Sequence, residues 1–343
     1  MAQLFYAVAG EGNGHAIRSS TIIEELKKKH TVHIFSHGKG YNFLKKHYFV
    51  TRILGFHMYY VNNTVSSFLT GIVNILKFPW MFCASLKYPY YFFKERPTVV
   101  ITDFEPFLLY WSKLFSVPCI SIDNQHSITE TAVDNVPEQF IARLYSKTVI
   151  QLFLRNPTHI LLTTFFPEKA KQQKTVLVLP IIRKEVLKTK PAHVGHILVY
   201  QTSQSYKKMF PVLKSIPKQF IVYGFNKELI EDNIIFKRFN TQNYIEDVRT
   251  ADAVIINGGF SVLSEALYLQ KPVFAIPIRR QYEQILNGYY LQKLGYGVSV
   301  KNISIENFTQ FLKNKKVYEK NIKKMKWDNN KKLFETLEKL IPN

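Results

Sequence analysis

Short apolar runs alternate along this chain with segments whose apolar positions recur at helical spacing. Residues 4–9, 31–36, 98–102, 119–123 and 159–163 are compact apolar runs, which predict buried strands. Between them Ile22, Ile23 and Leu26 mark one helix, and residues 106–115 another. The pattern then restarts, with strands predicted at 197–200, 220–223, 253–257 and 273–276 and helices at 206–215 and 262–269. Such alternation predicts parallel sheets with helices on both faces. The expected fold class is therefore α/β: two Rossmann-like doubly wound domains facing a cleft, with ligands at the carboxyl ends of the strands.

The segment 179–193 carries Pro180, Pro191 and a Lys/Arg cluster and reads as a linker. It divides a first domain, 1–178, from a second, 194–320. The tail 321–343 reads as a C-terminal helix, with Met325, Trp327, Leu333, Leu337 and Leu340 as a stripe able to pack back on the first domain. No short-period repeat is present. The N-terminal ten residues read as a strand, so no signal peptide is expected.

The stretch 58–93 is the most apolar, but Asn62, Asn63, Asn74, Lys77, Pro79, Lys87 and Pro89 interrupt it, which argues against a spanning helix. Two readings stand: a segment lying in a membrane interface beside Lys77, Lys87, Lys94 and Arg96, or a core helix pair with aromatic packing.

Composition narrows the classes. A chain of 343 residues with 46% hydrophobic content suits two folded domains and excludes intrinsic disorder. Cys83 and Cys119 allow at most one disulfide, which makes a reducing compartment the default. The formal net charge of +21 points to an anionic partner: nucleic acid, a membrane surface or a phosphorylated substrate. No DNA- or RNA-binding module accompanies the spread lysines, so nucleic acid is not an expected partner.

Two constellations carry chemistry. Gly10-Glu11-Gly12-Asn13-Gly14-His15 follows the first strand and opens a helix, and exposed helix N–H groups favour an anion. The spacing is not that of the dinucleotide fingerprint. His15 at a strand-end turn suits a general base, the bland alternative being a packing or capping role; Glu11 is a rival base. Asp103 ends another strand and either orients His15 or caps the following helix. In the second half, Gly258, Gly259, Phe260 and Ser261 open a helix carrying Glu265, and Glu283, Gln284 and Asn287 stand on the next. Glycines at a helix start suit a diphosphate, and a carboxylate one turn later suits a ribose diol.

These residues resemble the GT-B glycosyltransferases over both halves of the fold. Within them the chain looks like the inverting group that includes MurG, the galactolipid synthases and the UDP-glycosyltransferases. Gly12-Asn13-Gly14-His15 matches the first loop; residues 250–265 match the donor motif; Glu283-Gln284-Ile285-Leu286-Asn287 resembles the end of the plant-type donor box. By resemblance, Glu265 would hold the ribose, Gly259 to Ser261 the diphosphate, and Glu283 with Gln284 the donor sugar. The second domain's first loop departs from the Gly-rich pattern: Gln201-Thr202-Ser203-Gln204-Ser205 offers the Thr202 and Ser203 hydroxyls to the phosphates. Asn257 stands where the plant-type box has His. Glu105, Gln125 and His126, with Gly12, Asn13 and Gly14, are acceptor-side candidates.

The resemblance implies transfer of a hexose or N-acetylhexosamine from a UDP-sugar, with inversion, to a hydroxyl of a lipid-linked or cell-envelope glycan acceptor. No cofactor is expected, and no metal: the chain has no Asp-x-Asp pair or Cys/His ligand spacing. Peripheral contact with an anionic membrane, at its cytoplasmic face, is the expected location. Rival readings are a sugar-nucleotide epimerase of the same fold, a basic nucleic-acid- or membrane-binding protein, and a silent nucleotide-sugar binder.

Overall fold

A computed structural model describes residues 1–61, 64–201 and 206–342. The first half runs β1 (Gln3–Val8), α1 (Asn13–Leu26), β2 (Thr31–Ser36), α2 (Gly38–Leu44), β3 (Val50–Arg52), a ribbon of β4 (Tyr60–Val61) and β5 (Thr64–Val65), then α3 (Ser67–Ser85) and α4 (Tyr88–Glu95). It continues β6 (Val99–Asp103), α5 (Pro106–Leu114), β7 (Cys119–Asp123), α6 (Ser127–Glu130), α7 (Phe140–Phe153), β8 (His159–Thr163) and β9 (Thr175–Val178). The short α8 (Lys184–Leu187) leads to the second half. There follow β10 (His196–Tyr200), α9 (Met209–Lys214), β11 (Gln219–Tyr223), β12 (Leu229–Glu231), β13 (Ile234–Phe236), α10 (Thr241–Thr250), β14 (Ala253–Ile256) and α11 (Phe260–Tyr268). The last elements are β15 (Val273–Ala275), α12 (Tyr282–Lys293), β16 (Gly297–Ser299), α13 (Ile305–Lys313), α14 (Lys315–Ile322) and α15 (Lys331–Leu340).

Among the described residues the strands form two seven-stranded sheets, ordered β3-β2-β1-β6-β7-β8-β9 and β12-β13-β11-β10-β14-β15-β16. Within these two sheets all neighbours are parallel except β12 and β13, and the separate β4–β5 ribbon is antiparallel. Each sheet reverses its winding at its first strand, and that is where the register places the loops. Val8 pairs with both Ser36 and Asp103, so the turns after β1, β2 and β6 share one rim. Tyr200 pairs with Tyr223 and Ile256, which gathers the turns after β10, β11 and β14 at the other. These crevices are the ligand positions of doubly wound sheets.

Alternation along β1 splits the first core: Leu4, Tyr6 and Val8 pack with Ile22, Ile23 and Leu26 on one face, Phe5 and Ala7 with Phe92 and Leu108 on the other. Leu333, Leu337 and Ile341 of the tail join the first of these faces. Linker residues go both ways, Ile181 into the first-domain core and Ile182 into the second.

The segment from α3 to α4 meets the domain along one stripe that mixes polar and apolar side chains. Thr70, Asn74, Met81, Ser85, Tyr88 and Phe92 recur at helical spacing and are buried against the domain. The Asn74 side chain bonds the backbone of His57, Thr70 Oγ1 accepts from the Tyr59 N–H, and Ser85 Oγ accepts from the Trp111 indole. Outward stand Phe68, Ile75, Leu76, Trp80 and Phe93, each more than two-thirds exposed. The core-pair reading therefore holds for Met81, Tyr88 and Phe92, which join the first-domain core, and not for the outward face. The run Phe68–Glu95 also meets the length and apolarity of a membrane crossing, contrary to the sequence reading, although its buried stripe ties it along the domain. Phe140, Ile141, Leu144 and Leu152 of α7 are likewise exposed.

Candidate active site

The β1–α1 turn can form only with little side-chain bulk. A Cβ on Gly10 would lie 2.0 Å from the His37 carbonyl oxygen, and the Gly10 N–H donates to His37 Nε2 at 3.0 Å. Burial pushes the His37 pKa down to about 4, which keeps that ring neutral and able to accept. Gly12 is the helix N-cap and faces open space, leaving room for a ligand at the first turn of α1.

His15 sits in that turn. Its Nδ1 lies 2.7 Å from Asp103 Oδ1. Asp103 also accepts from Arg18 Nε at 2.7 Å, from Arg18 Nη2, and from Ser19 Oγ at 2.9 Å. Burial alone pushes the Asp103 pKa up, but Arg18 and His15 outweigh it and hold the carboxyl well below the usual range. Nδ1 meets two groups of opposite demand, the Asp103 carboxylate at 2.7 Å and Arg18 Nη2 at 2.9 Å; the carboxylate only accepts, so the shorter contact calls for the proton on Nδ1 and leaves Nε2 as the basic nitrogen, on a side chain still 18% exposed. Of the two readings of Asp103, the structure shows the pairing with His15. The helix cap is Glu105, whose oxygens accept from the N–H groups of Phe107 (3.2 Å) and Leu108 (2.8 Å). Glu105 is buried, so it is a cap and not an acceptor contact.

The second rim mirrors the first. Gly258 has φ +84°, where a side chain would be strained, and its Cβ would meet the Gln284 carbonyl oxygen at 2.9 Å. Gly259 is the N-cap of α11 and faces open space. Ser261 Oγ donates to the Gly14 carbonyl at 3.2 Å, which brings the N-termini of α1 and α11 together across the cleft. The Phe260 ring packs into the core beside Phe165, which leaves only its backbone N–H to face the turn. Thr202 and Ser203 lie outside the described residues.

Glu265 is buried and receives two parallel bonds from Arg183, at 2.5 and 2.8 Å. Burial lowers the Arg183 pKa and Glu265 raises it more, which keeps the guanidinium charged. Gln284 Oε1 accepts from the Ile278 N–H at 3.0 Å, and Asn287 Nδ2 donates to the Gly258 carbonyl at 3.0 Å. Asn287 thus holds the glycine turn.

Glu283 faces the first domain. Its oxygens accept from Asn124 Nδ2 at 2.9 Å and Gln125 Nε2 at 3.0 Å. Gln125 Oε1 is buried beside them without a hydrogen-bond partner. Asn13 lines a cavity of ≈ 450 Å³ with Lys39, Lys46 and, from the second domain, Asn240. His126 is buried, pairs with Asp123 at 2.7 Å and lines a cavity with Thr129, Glu130 and Arg155, so the structure places it with those residues and not among the contacts of His15. Burial lowers the His126 pKa, but Asp123 raises it overall. Glu11 is taken up by His57 Nδ1 (2.9 Å) and the Met58 N–H (2.8 Å), which fixes that loop and removes it as a base. Among the described residues no three His, Cys, Asp or Glu side chains gather as a metal site.

Sequence reasoning missed Arg18, Asn124 and Arg183. The spacing of His15, Arg18 and Ser19, three and four residues apart on α1, was the available signal for Arg18. Nothing in the sequence pairs Asn124 or Arg183 with partners so far along the chain.

Residues 2–315 match the family described as glycosyl transferase family 1. An N-acetylglucosamine transferase of Clostridium botulinum, acting on pyrophosphoryl-undecaprenol by its name, is 29% identical over 124 residues, 32% of this chain and 35% of that protein. The chain thus matches about a third of that relative's length. An uncharacterised glycosyltransferase of Methanosarcina acetivorans is 22% identical over 317 residues, 84% of this chain and 83% of its own. Among solved structures, the glycosyltransferase of kitacinnamycin superposes with TM-score 0.68 at 12% identity, covering 99% of both chains. A Phytolacca americana enzyme in complex with UDP-2-fluoro-glucose and pterostilbene gives TM-score 0.64 at 12% identity, again over 99% of both. With both sheets, the facing glycine turns and the His15–Asp103 pair in place, the chain belongs to glycosyl transferase family 1 and is a glycosyltransferase of the GT-B fold.

Proposed function

We propose that this enzyme transfers a hexose or N-acetylhexosamine from a UDP-sugar to a hydroxyl of a lipid-linked acceptor at the cytoplasmic face of an anionic membrane. The single observation that carries the chemistry is the His15–Asp103 pair beside the facing N-termini of α1 and α11. The acceptor oxygen attacks the anomeric carbon while His15 Nε2 takes its proton. The bond from that carbon to the diphosphate breaks, UDP leaves with the electron pair, and configuration inverts. Asp103 holds the imidazole and faces the cation that forms. The N–H groups at Gly259 to Ser261 receive the growing diphosphate charge, which needs no metal. Glu265, held by Arg183, is the ribose carboxylate, and Glu283 with Gln284 faces the sugar. The unpartnered Gln125 Oε1 suits a sugar hydroxyl.

The acceptor class rests on the outward face of α3 and α7. Rings connect it to the site: His15 to Phe104 at 6.2 Å, Phe104 to Phe153 at 6.1 Å, Phe153 to Phe56 at 4.3 Å, then Phe107 and Phe78. The exposed cations Lys94, Arg96, Lys147 and Arg155 accompany the exposed apolar groups, which suits an anionic bilayer. The relative from Clostridium botulinum, named for a lipid pyrophosphate acceptor, agrees with this class.

The test is a thermal-shift screen of UDP, UDP-glucose and UDP-GlcNAc, followed by transfer to a membrane lipid extract read by mass spectrometry. His15→Ala is expected to lower transfer at least about 100-fold. Near-wild-type transfer by that variant would remove His15 as the base.

A further inference from the structure

One hydrogen-bonded chain crosses the cleft from His15 to Glu283. His15 Nδ1 meets Asp103 at 2.7 Å, and Arg18 Nε meets the other oxygen of Asp103 at 2.7 Å. Arg18 Nη1 donates to Asn124 Oδ1 at 2.8 Å, and Asn124 Nδ2 donates to Glu283 Oε1 at 2.9 Å. Arg18, Asp103 and Asn124 are buried, so these bonds act where water competes little. The amide of Asn124 has no freedom to flip. Its oxygen faces a guanidinium and its nitrogen a carboxylate, and reversal would set donor against donor and acceptor against acceptor.

We propose that Asn124 is a positioning residue that ties the seating of Glu283 in the second domain to the alignment of His15 in the first. This rests on the reading of Glu283 as the donor-sugar carboxylate and His15 as the base. A sugar hydroxyl that draws on Glu283 pulls on the Asn124 amide, whose oxygen is the acceptor for Arg18. Arg18 in turn holds Asp103 at two points and thereby sets the imidazole. Occupation of the sugar subsite and readiness of the base are thus coupled, and UDP, which lacks the sugar, leaves the chain of bonds untouched.

The experiment uses the full chain with ¹⁵N-labelled histidine, the His15 resonances being assigned by their loss in His15→Ala. In the unliganded protein, Glu283→Ala is expected to shift the His15 nitrogens. In an Asn124→Asp background the same substitution is expected to leave them in place. That variant keeps an acceptor for Arg18 but removes the bond to Glu283 and sets a like charge against it, while Gln125 still holds Glu283; Asn124→Ala, which removes the bond without adding a charge, is the second variant and is expected to leave the His15 nitrogens equally indifferent to Glu283→Ala. UDP-glucose or UDP-GlcNAc is expected to shift His15 where UDP does not, and the difference is lost in both Asn124 variants. A His15 signal indifferent to Glu283→Ala, or equally responsive in the Asn124→Asp background, overturns the proposal. If neither sugar nucleotide shifts His15 while the unliganded coupling persists, the link stands and the donor assignment falls.

Discussion

Asp103→Asn replaces the carboxylate at the centre of the first-domain site with an isostere. Four donors converge on Asp103: His15 Nδ1–H, Arg18 Nε–H, Arg18 Nη2–H and the Ser19 hydroxyl. An amide offers one oxygen and turns two hydrogens toward the remaining donors. Either His15 changes tautomer or Arg18 swings away. The first outcome points the proton at the acceptor and removes the base; loss of about 100- to 10,000-fold in kcat is expected. The second strands a buried guanidinium whose remaining direct contacts are Asn124 and the His15 ring, with Asp123 and Glu283 acting only as charges nearby. Breaking a buried pair this way costs about 3–5 kcal/mol, and the neighbouring carboxylates favour the lower end. The sign with pH follows from the depressed carboxyl. Asp103 contributes stability above the usual carboxylate pKa, and that stability is lost as pH falls through its lower folded value. Urea unfolding at neutral and acid pH, with transfer and UDP affinity measured alongside, checks all three. Wild-type kcat with an unchanged midpoint, or a kcat that falls only with the folded fraction, refutes the reasoning.

Glu105 gives the opposite pH dependence. Burial pushes its pKa up to about 7 although the Leu108 and Phe107 N–H groups pull it down, so its contribution is full below the unfolded value and is lost as pH rises toward 7. Glu105→Gln should flatten the decline in urea midpoint between pH 5 and 8, a contribution of about 3 kcal/mol; an unchanged slope counts against it. Arg183→Met leaves Glu265 buried without its bidentate partner and should cost about 3–5 kcal/mol in urea unfolding and weaken UDP binding. Trp80→Ser with Phe140→Ser should abolish co-sedimentation with anionic vesicles and move stability by no more than roughly 0.5 kcal/mol, since both side chains are exposed. Gly10→Ala should prevent folding or displace β2, because its Cβ would sit 2.0 Å from the His37 oxygen; a wild-type melting temperature would contradict that packing.

The strands and glycine turns were legible because each is a local signal: an apolar run, then a residue type that permits a tight turn into a helix. The choice between the two readings of Asp103 was legible too. Pro106 occupies the first helical position, which fixes the cap one residue earlier at Glu105 and leaves Asp103 free for His15. The α3 segment was ambiguous for a different reason. Helical spacing separates Thr70, Asn74 and Ser85 from Trp80 and Ile75, but periodicity alone does not say which stripe meets the protein. The stripe that meets the protein mixes Thr70, Asn74 and Ser85 with Met81, Tyr88 and Phe92, and its polar members are held by backbone and indole partners.

The same contrast places the charge. The buried carboxylates of the site meet arginines inside the protein, Asp103 with Arg18 and Glu265 with Arg183. These pairs are neutral, so they contribute nothing to the net +21. The chemistry therefore leaves the excess untouched, and it resides on other side chains, many of them exposed lysines. A protein that turned its apolar helix face inward would have no use for exposed cations beside α3 and α7. With that face outward, the proposed membrane contact uses both features: apolar groups would supply burial in the interface, and Lys94, Arg96, Lys147 and Arg155 attraction to anionic headgroups. If that is the arrangement, raising salt weakens vesicle binding without moving the melting temperature, because the attraction of exposed charges is screened while the buried pairs are not. Binding that is indifferent to salt would assign the whole interaction to the apolar face.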